Sequence, residues 1–202
     1  MKHFLRKLFS KTFFLIFLAI IAAACYFYRG WFIEQYHHAK GMYYIHKGDN
    51  AYSVNNIGKT LEYYIKGLEL YPQHYEAWFN LGNIYAVHED YYSAVDAYEN
   101  AIKANPKFVM ARMNLGIVLS EDLGFFDEAI EQFDAISNIK LFKLWIPFVY
   151  SNIKSVKGNR ALAYYNKGVA YRQKALYLPI EKQYLIYEYL GNAVEAYTKA
   201  IK

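Results

Sequence analysis

A chain of 202 residues that is 55% hydrophobic and 20% charged has ample apolar material for a packed core and lacks the composition of a disordered tail. Its formal net charge is +5, and Lys2, Arg6, Lys7, Lys11 and Arg29 account for all of it. From residue 31 onward 18 basic and 18 acidic side chains cancel, so the folded part has no basic excess with which to neutralise phosphates, which argues against nucleic acid as a partner. The single cysteine, Cys25, allows neither an internal disulfide nor a cysteine-based metal cluster.

In chain order, a basic flank over residues 1–11 precedes 17 uncharged residues, Thr12 to Tyr28. As a helix this run is about 25 Å long, at the short end of what crosses a bilayer. Lys11 and Arg29 can snorkel to the headgroups, while Tyr26, Phe27, Tyr28 and Trp31 form an interfacial belt. Residues 12–28 are therefore expected to be a single-pass transmembrane anchor, followed by a polar juxtamembrane linker over 29–40. The heavier N-terminal basic flank predicts a cytoplasmic N-terminus, with the remainder on the trans (periplasmic or lumenal) side. Two other readings stay open. A basic start, an apolar run and small residues also describe a cleavable signal peptide. Ala22-Ala23-Ala24-Cys25 also resembles a bacterial lipobox, which would make Cys25 a lipidation site. Against both, the chain stays aromatic and apolar through Phe32.

Beyond residue 40 the sequence repeats itself. Gly48, Gly82 and Gly116 are 34 residues apart, as are Tyr44, Trp78 and Arg112, and also Pro72 and Pro106. In the clearest unit Trp78, Leu81, Gly82 and Tyr85 lie on one face of a first helix. Ala94, Tyr98 and Ala101 lie on one face of a second, and Asn105-Pro106 ends it. Small residues let the two helices approach while the aromatics fill the space around them. The unit resembles a tetratricopeptide repeat (TPR) at eight signature positions. The resemblance implies an all-α solenoid of helix–turn–helix units, about four of them, after the N-terminal transmembrane helix. Three repeats are expected over 41–139. A divergent one over 161–202 carries Tyr164, Gly168, Tyr171, Ala193, Tyr197 and Ala200, with 13 residues inserted. The connecting stretch 140–160 is apolar in its middle and basic around it. It is expected to be an extra packed helix bent at Pro147, an interfacial segment or a plug for the protein's own groove. Residues 31–139 carry 7 basic against 15 acidic side chains and 140–202 carry 11 against 3, a dipolar pattern suited to steering a partner.

No HExxH, P-loop, GxGxxG or GxSxG pattern occurs. His88-Glu89-Asp90 falls where the turn between helices belongs. No catalytic residue, cofactor site or metal site is expected, and an enzyme is not indicated.

The family resemblance places positions 2, 5, 9 and 12 of each unit on the concave surface. Here these are mostly apolar, with methionines, which suits an extended or helical apolar peptide. The expected groove residues are Phe79, Asn80, Asn83, Met110, Met113, Asn114, Ile117, Leu162, Tyr165 and Asn166. Repeats that clasp acidic chaperone tails need Lys and Arg in the groove. This chain has Ile45, Asp49, Met110 and Asn114 there, and only Asn80 fits, so that partner class is not expected. The resulting expectation is a membrane-anchored scaffold, adaptor or assembly factor for a protein or peptide partner. Alternatives are a lipoprotein pilotin or secretion component, or an assembly factor resembling the short anchored TPR proteins of photosynthetic membranes. The last helix stops without a polar cap, so Val194, Tyr197 and Ile201 are expected to form a face for self-association or a partner, unless the inserted stretch folds back over it.

Overall fold

The computed structural model describes residues 2–138 and 148–201, and every element among them is helical. In order these are α1 (Lys2–Ser53), α2 (Ile57–Leu70), α3 (Tyr75–Val87), α4 (Tyr91–Ala104), α5 (Val109–Ile117, continuing as a π-helical turn, Val118–Asp122), α6 (Phe126–Ser137), α7 (Phe148–Leu176) and α8 (Gln183–Ala200). Four antiparallel pairs follow: the C-terminal part of α1 with α2, α3 with α4, α5 with α6, and α7 with α8. The turns are set by short polar side chains. Asn56, His74 and Asp90 each accept a hydrogen bond from a first-turn amide, at Lys59 (3.2 Å), Ala77 (3.1 Å) and Ser93 (3.3 Å) respectively. His88-Glu89-Asp90 is the α3–α4 turn, with Glu89 at φ +61°.

One contact recurs in all four pairs. A Cβ built on Gly48, Gly82, Gly116 or Gly168 would lie 2.5–2.6 Å from the ring of Tyr64, Tyr98, Phe133 or Tyr197. The aromatic of each second helix thus packs directly on the bare backbone of its first helix. Tyr64, Tyr98 and Phe133 are at most 1% exposed. Around these rings sit two apolar clusters. One is built on Ile45, Tyr64, Leu68, Ala77, Leu81, Ile84 and Ala97. The other reaches from Ala94 and Tyr98 through Leu115, Ile130, Phe133 and Ile136 to Ala163 and Ala170 on α7. The shared signature position of Trp78 and Arg112 also has a physical basis. The Trp78 indole donates to the Pro72 carbonyl (2.9 Å) and the Arg112 guanidinium to the Pro106 carbonyl (3.2 Å), each tying a first helix to the end of the preceding one. Lys47, at an apolar position of the first unit, has its ammonium over the rings of Tyr43 (4.9 Å) and Tyr63 (5.4 Å).

Three expectations are revised. Residues 29–40 are not a linker, because α1 runs unbroken from Lys2 to Ser53. The stretch has no proline and one glycine, Gly30, which lowers helix stability only by about 1 kcal/mol. The α2–α3 turn also packs on it, with Tyr71 4.3 Å from His38. The 13 inserted residues of the fourth unit do not fold back. They lengthen the α7–α8 hairpin, which turns at 177–182 through a 3-10 turn, Ile180–Lys182. Stacking of Tyr171 on Tyr189 (6.3 Å) ties the lengthened arms together. Part of the charge asymmetry between the halves is used inside the molecule: Lys167 pairs with Asp134 (2.5 Å) and Lys174 with Asp127, one heptad apart on each helix, holding α7 antiparallel to α6. From residue 148 the connecting segment belongs to α7. The bend expected at Pro147, and Lys140 and Lys143, lie outside the described residues.

Two outcomes are expected in thermal melts of the full chain followed by helical circular dichroism. Gly82→Ala lowers stability by about 1–3 kcal/mol, because the new methyl overlaps the Tyr98 ring. Gly191→Ala, where a Cβ meets nothing within 4 Å, raises it by about 0.5–1 kcal/mol. Equal effects at the two positions would contradict the ring-on-glycine packing. A double-mutant cycle of Lys167→Met with Asp134→Asn should give a coupling of about 0.5–1 kcal/mol that shrinks in high salt, since the carboxylate is 39% exposed.

Candidate functional site

The aromatic second-helix residues that close each pair also shape the floor between successive first helices. The Tyr64 hydroxyl donates to Asp49 Oδ1 at 2.7 Å, and the Tyr98 hydroxyl donates to Asn83 Oδ1 at 2.8 Å. Asn114, on the next first helix, donates to the same Asn83 oxygen at 2.9 Å. Burial, and for Tyr64 its bond to Asp49, raises both phenols above their ordinary range, while the neighbouring Asn80 and Asn114 amides offset this in part. The hydroxyls and amides thus form a rung in each of the first two repeats, the first linking α1 and α2 to α3 and the second linking α3 and α4 to α5. The third unit has Phe133 instead of tyrosine and no such rung. There Asn166 reaches Met113 Sδ at 3.3 Å.

Above the second rung lies a cleft of about 580 Å³ between α3 and α5, within the range of sites that hold a few side chains. It is lined by Phe79, Asn83, Ala86, Val87, Tyr98, Met110, Asn114, Ile117, Val118 and Asp122. Met110 is 50% exposed and Val87 79% exposed, so apolar surface faces solvent there. Phe79 is held at 5.1 Å from Phe108 and 6.0 Å from Tyr98.

Of the ten residues expected in the groove, Phe79, Asn83, Met110, Asn114 and Ile117 come together in this cleft. Met113 does not: it is 5% exposed and belongs to the core, because α5 turns that position toward α6 and α7. Asn80 faces the Tyr64 hydroxyl, and Asn166 faces Met113. Leu162 and Tyr165 are exposed on α7 but do not line the cleft. Val87 and Asp122 were not anticipated. Asp122 owes its place to the extra residue of the third unit, which the sequence shows as a 35-residue step from Tyr98 to Phe133. That residue is absorbed by the π-helical turn, closed by Leu123 N–H to Val118 O at 3.1 Å.

At the other end of the chain, Val194 on α8 is 65% exposed and Ile201, which caps that helix, 87%. Their counterparts Val95 and Ile102 are partly buried against the following repeat. Tyr197 does not share their face, because its ring lies on Gly168 and 5.7 Å from Tyr165. Cys25 is exposed on α1, inside the one described helix long and apolar enough to cross a membrane.

Models of the tetratricopeptide repeat match residues 75–108 and 46–91. Among curated proteins, the chain is 30% identical over 100 residues to the photosystem I assembly protein Ycf3 of Acaryochloris marina, covering 45% of this chain and 60% of that one. It is 35% identical over 84 residues to the peroxisomal targeting signal receptor of Kluyveromyces lactis, covering 42% of this chain and 15% of the receptor. The chain thus spans 60% or less of these relatives' lengths. Two crystal structures of MamA superpose with TM-scores of 0.51 and 0.53 at 23% identity. They cover 79% of this chain, and 79% and 74% of theirs, a likeness of fold. The repeat models, the ring-on-glycine contact in four successive helix pairs and these likenesses of fold agree that the chain carries tetratricopeptide repeats, matched by family models over residues 46–108.

Proposed function

We propose that this protein is a membrane-held scaffold whose α3–α5 cleft takes an apolar segment of a partner protein, bringing that partner to the membrane surface for assembly. The observation that carries this is the cleft itself. Phe79, Met110, Ile117 and Val87 present solvent-facing apolar surface on a floor whose polar atoms are already tied together by the Tyr98–Asn83–Asn114 rung. Such a surface gains by covering apolar groups. The repeat family and the names of two relatives, an assembly protein and a targeting-signal receptor, support a protein-interaction role. A photo-crosslinking residue at Met110 should capture a discrete partner band in native membranes, and one at Glu99, exposed on α4, should not. Equal labelling from both positions would remove the cleft from the interaction. With the crosslinking residue kept at Met110, Val87→Glu should abolish that band with little change in melting, since Val87 lines the cleft and is 79% exposed.

The membrane part of the reading rests on the apolar run inside α1, none of which is buried. We place residues 12–28 in the bilayer, the N-terminus in the cytoplasm and the repeats on the trans side. Because α1 continues into the first repeat, the span and the solenoid form one rod, and the repeats stand at a set height above the bilayer. Two further readings are decided by the same preparation. The protein should resist alkaline carbonate extraction, and Cys25→Ala should leave attachment unchanged. Loss of attachment in that variant would establish lipidation, and a soluble product with a new N-terminus near Cys25 would establish a cleaved signal. Protease added outside right-side-out vesicles should cut the repeats and spare residues 1–11. Repeats that survive until the membrane is opened would reverse the orientation.

A further inference from the structure

The cleft has two electrically different ends. Asp122 is the one carboxylate among its lining residues. Near its end of the cleft lie the α3–α4 turn, which carries Glu89 and Asp90, and Glu121. No Lys or Arg occurs from Gly67 to Ile102 or from Met113 to Ile139. Within α3–α6 the cations are Lys103, Lys107 and Arg112. All three sit near the start of α5, whose first residue, Val109, is 13 residues of helix from Asp122, roughly 20 Å. Arg112 is engaged there with Gln132 and the Pro106 carbonyl. None of the ion pairs among the described residues includes Glu89, Asp90, Glu121 or Asp122. The Tyr91 phenol registers the field: burial and then the charges of Asp122 and Glu89 push it above its ordinary range. The π-helical turn creates this end, since its extra residue carries Asp122 to the cleft's edge (Phe125 N–H to Leu119 O, 2.7 Å).

We propose that the cleft selects partner segments in which a short run of large apolar residues is flanked on one side by a lysine or arginine, the cation lying at Asp122 while the apolar side chains cover Phe79, Met110 and Ile117. This rests on the cleft reading above and names the chemistry of its ligand. The opposite polarity, an acidic flank, meets repulsion at Asp122, and a cation at the other end meets Lys107 and Arg112. Charge complementarity of this kind at a partly exposed site changes affinity several-fold and sets orientation.

The test uses the full chain in nanodiscs and fluorescein-labelled peptides sharing one leucine–phenylalanine core. The variable residue is arginine at the first position, arginine at the last, glutamine at both, or glutamate at both. Anisotropy is read against empty discs. One arginine peptide, and not the other, should bind about three- to five-fold more tightly than the glutamine peptide. The glutamate peptide should bind more weakly, and the differences should shrink in high salt. Asp122→Asn, with its melting curve as the check that it is folded, should erase the arginine preference, so that both arginine peptides bind it no more tightly than the glutamine peptide does. Equal binding of all peptides, or a preference that survives Asp122→Asn, overturns the proposal and leaves the apolar cleft standing. Failure of every peptide to bind overturns both.

Discussion

The whole solenoid depends on one contact, an aromatic ring lying on a glycine of the preceding antiparallel helix. With a side chain in place of hydrogen at Gly48, Gly82, Gly116 or Gly168, the ring would meet carbon at 2.5–2.6 Å and the pair would have to open. The contact survives changes in everything around it. Glycine and ring are 16 residues apart in the first two pairs, 17 in the third and 29 in the fourth. The third pair absorbs its extra residue as a π-helical turn, and the fourth absorbs thirteen by lengthening both arms of a hairpin. The connection adjusts because its polar backbone is exposed and can be satisfied in several ways. The packed ring cannot adjust without leaving a void.

The same ring sets the floor of the cleft. Where it is a tyrosine, its hydroxyl needs a partner on being buried, and it finds Asp49 or Asn83 on its own first helix. The rung that results brings Asn114 of the next helix to the same oxygen. Asparagines that could have clamped a peptide backbone are therefore occupied in part by the fold, and the cleft offers chiefly apolar surface. Where the ring is Phe133 the rung is missing, and the floor from there to α7 is closed by Met113 and Asn166. The change from tyrosine to phenylalanine at one position marks where the polar floor ends.

Helix continuity and charge pairing join the repeats to what flanks them. Since α1 contains both the apolar run and the first repeat helix, the N-terminal segment continues into the solenoid without an intervening turn. Packing of the α2–α3 turn against His38 and Gly41 stiffens that junction. At the opposite end, the basic residues of α7 meet the acidic face of α6. Glu89, Asp90, Glu121 and Asp122, around the α3–α4 turn and the end of the cleft, are among the carboxylates outside the ion pairs of the described residues. Part of the charge imbalance seen in composition is thus used in one internal seam.

The fold class, the repeat phase and the pairing of Gly82 with Tyr98 were legible in the sequence, because a 34-residue period and a bare glycine opposite an aromatic leave few alternatives for helices that must approach closely. That Phe79, Met110 and Ile117 share one surface was legible too. What only the tertiary structure decided was where side chains turn once neighbouring repeats compete for them. Met113 goes to the core, Asn80 and Asn166 serve neighbouring repeats, and Tyr197 lies on Gly168 and not beside Val194 and Ile201. The helix through 29–40 was hidden for a similar reason, since its polar composition alone does not separate a linker from a helix that another segment supports. Asp122 could not be placed from the sequence either. One residue more in a turn changes a 34-residue step to 35, and whether it bulges outward or winds into the helix is decided by burial of Val118 and Leu119 against the core.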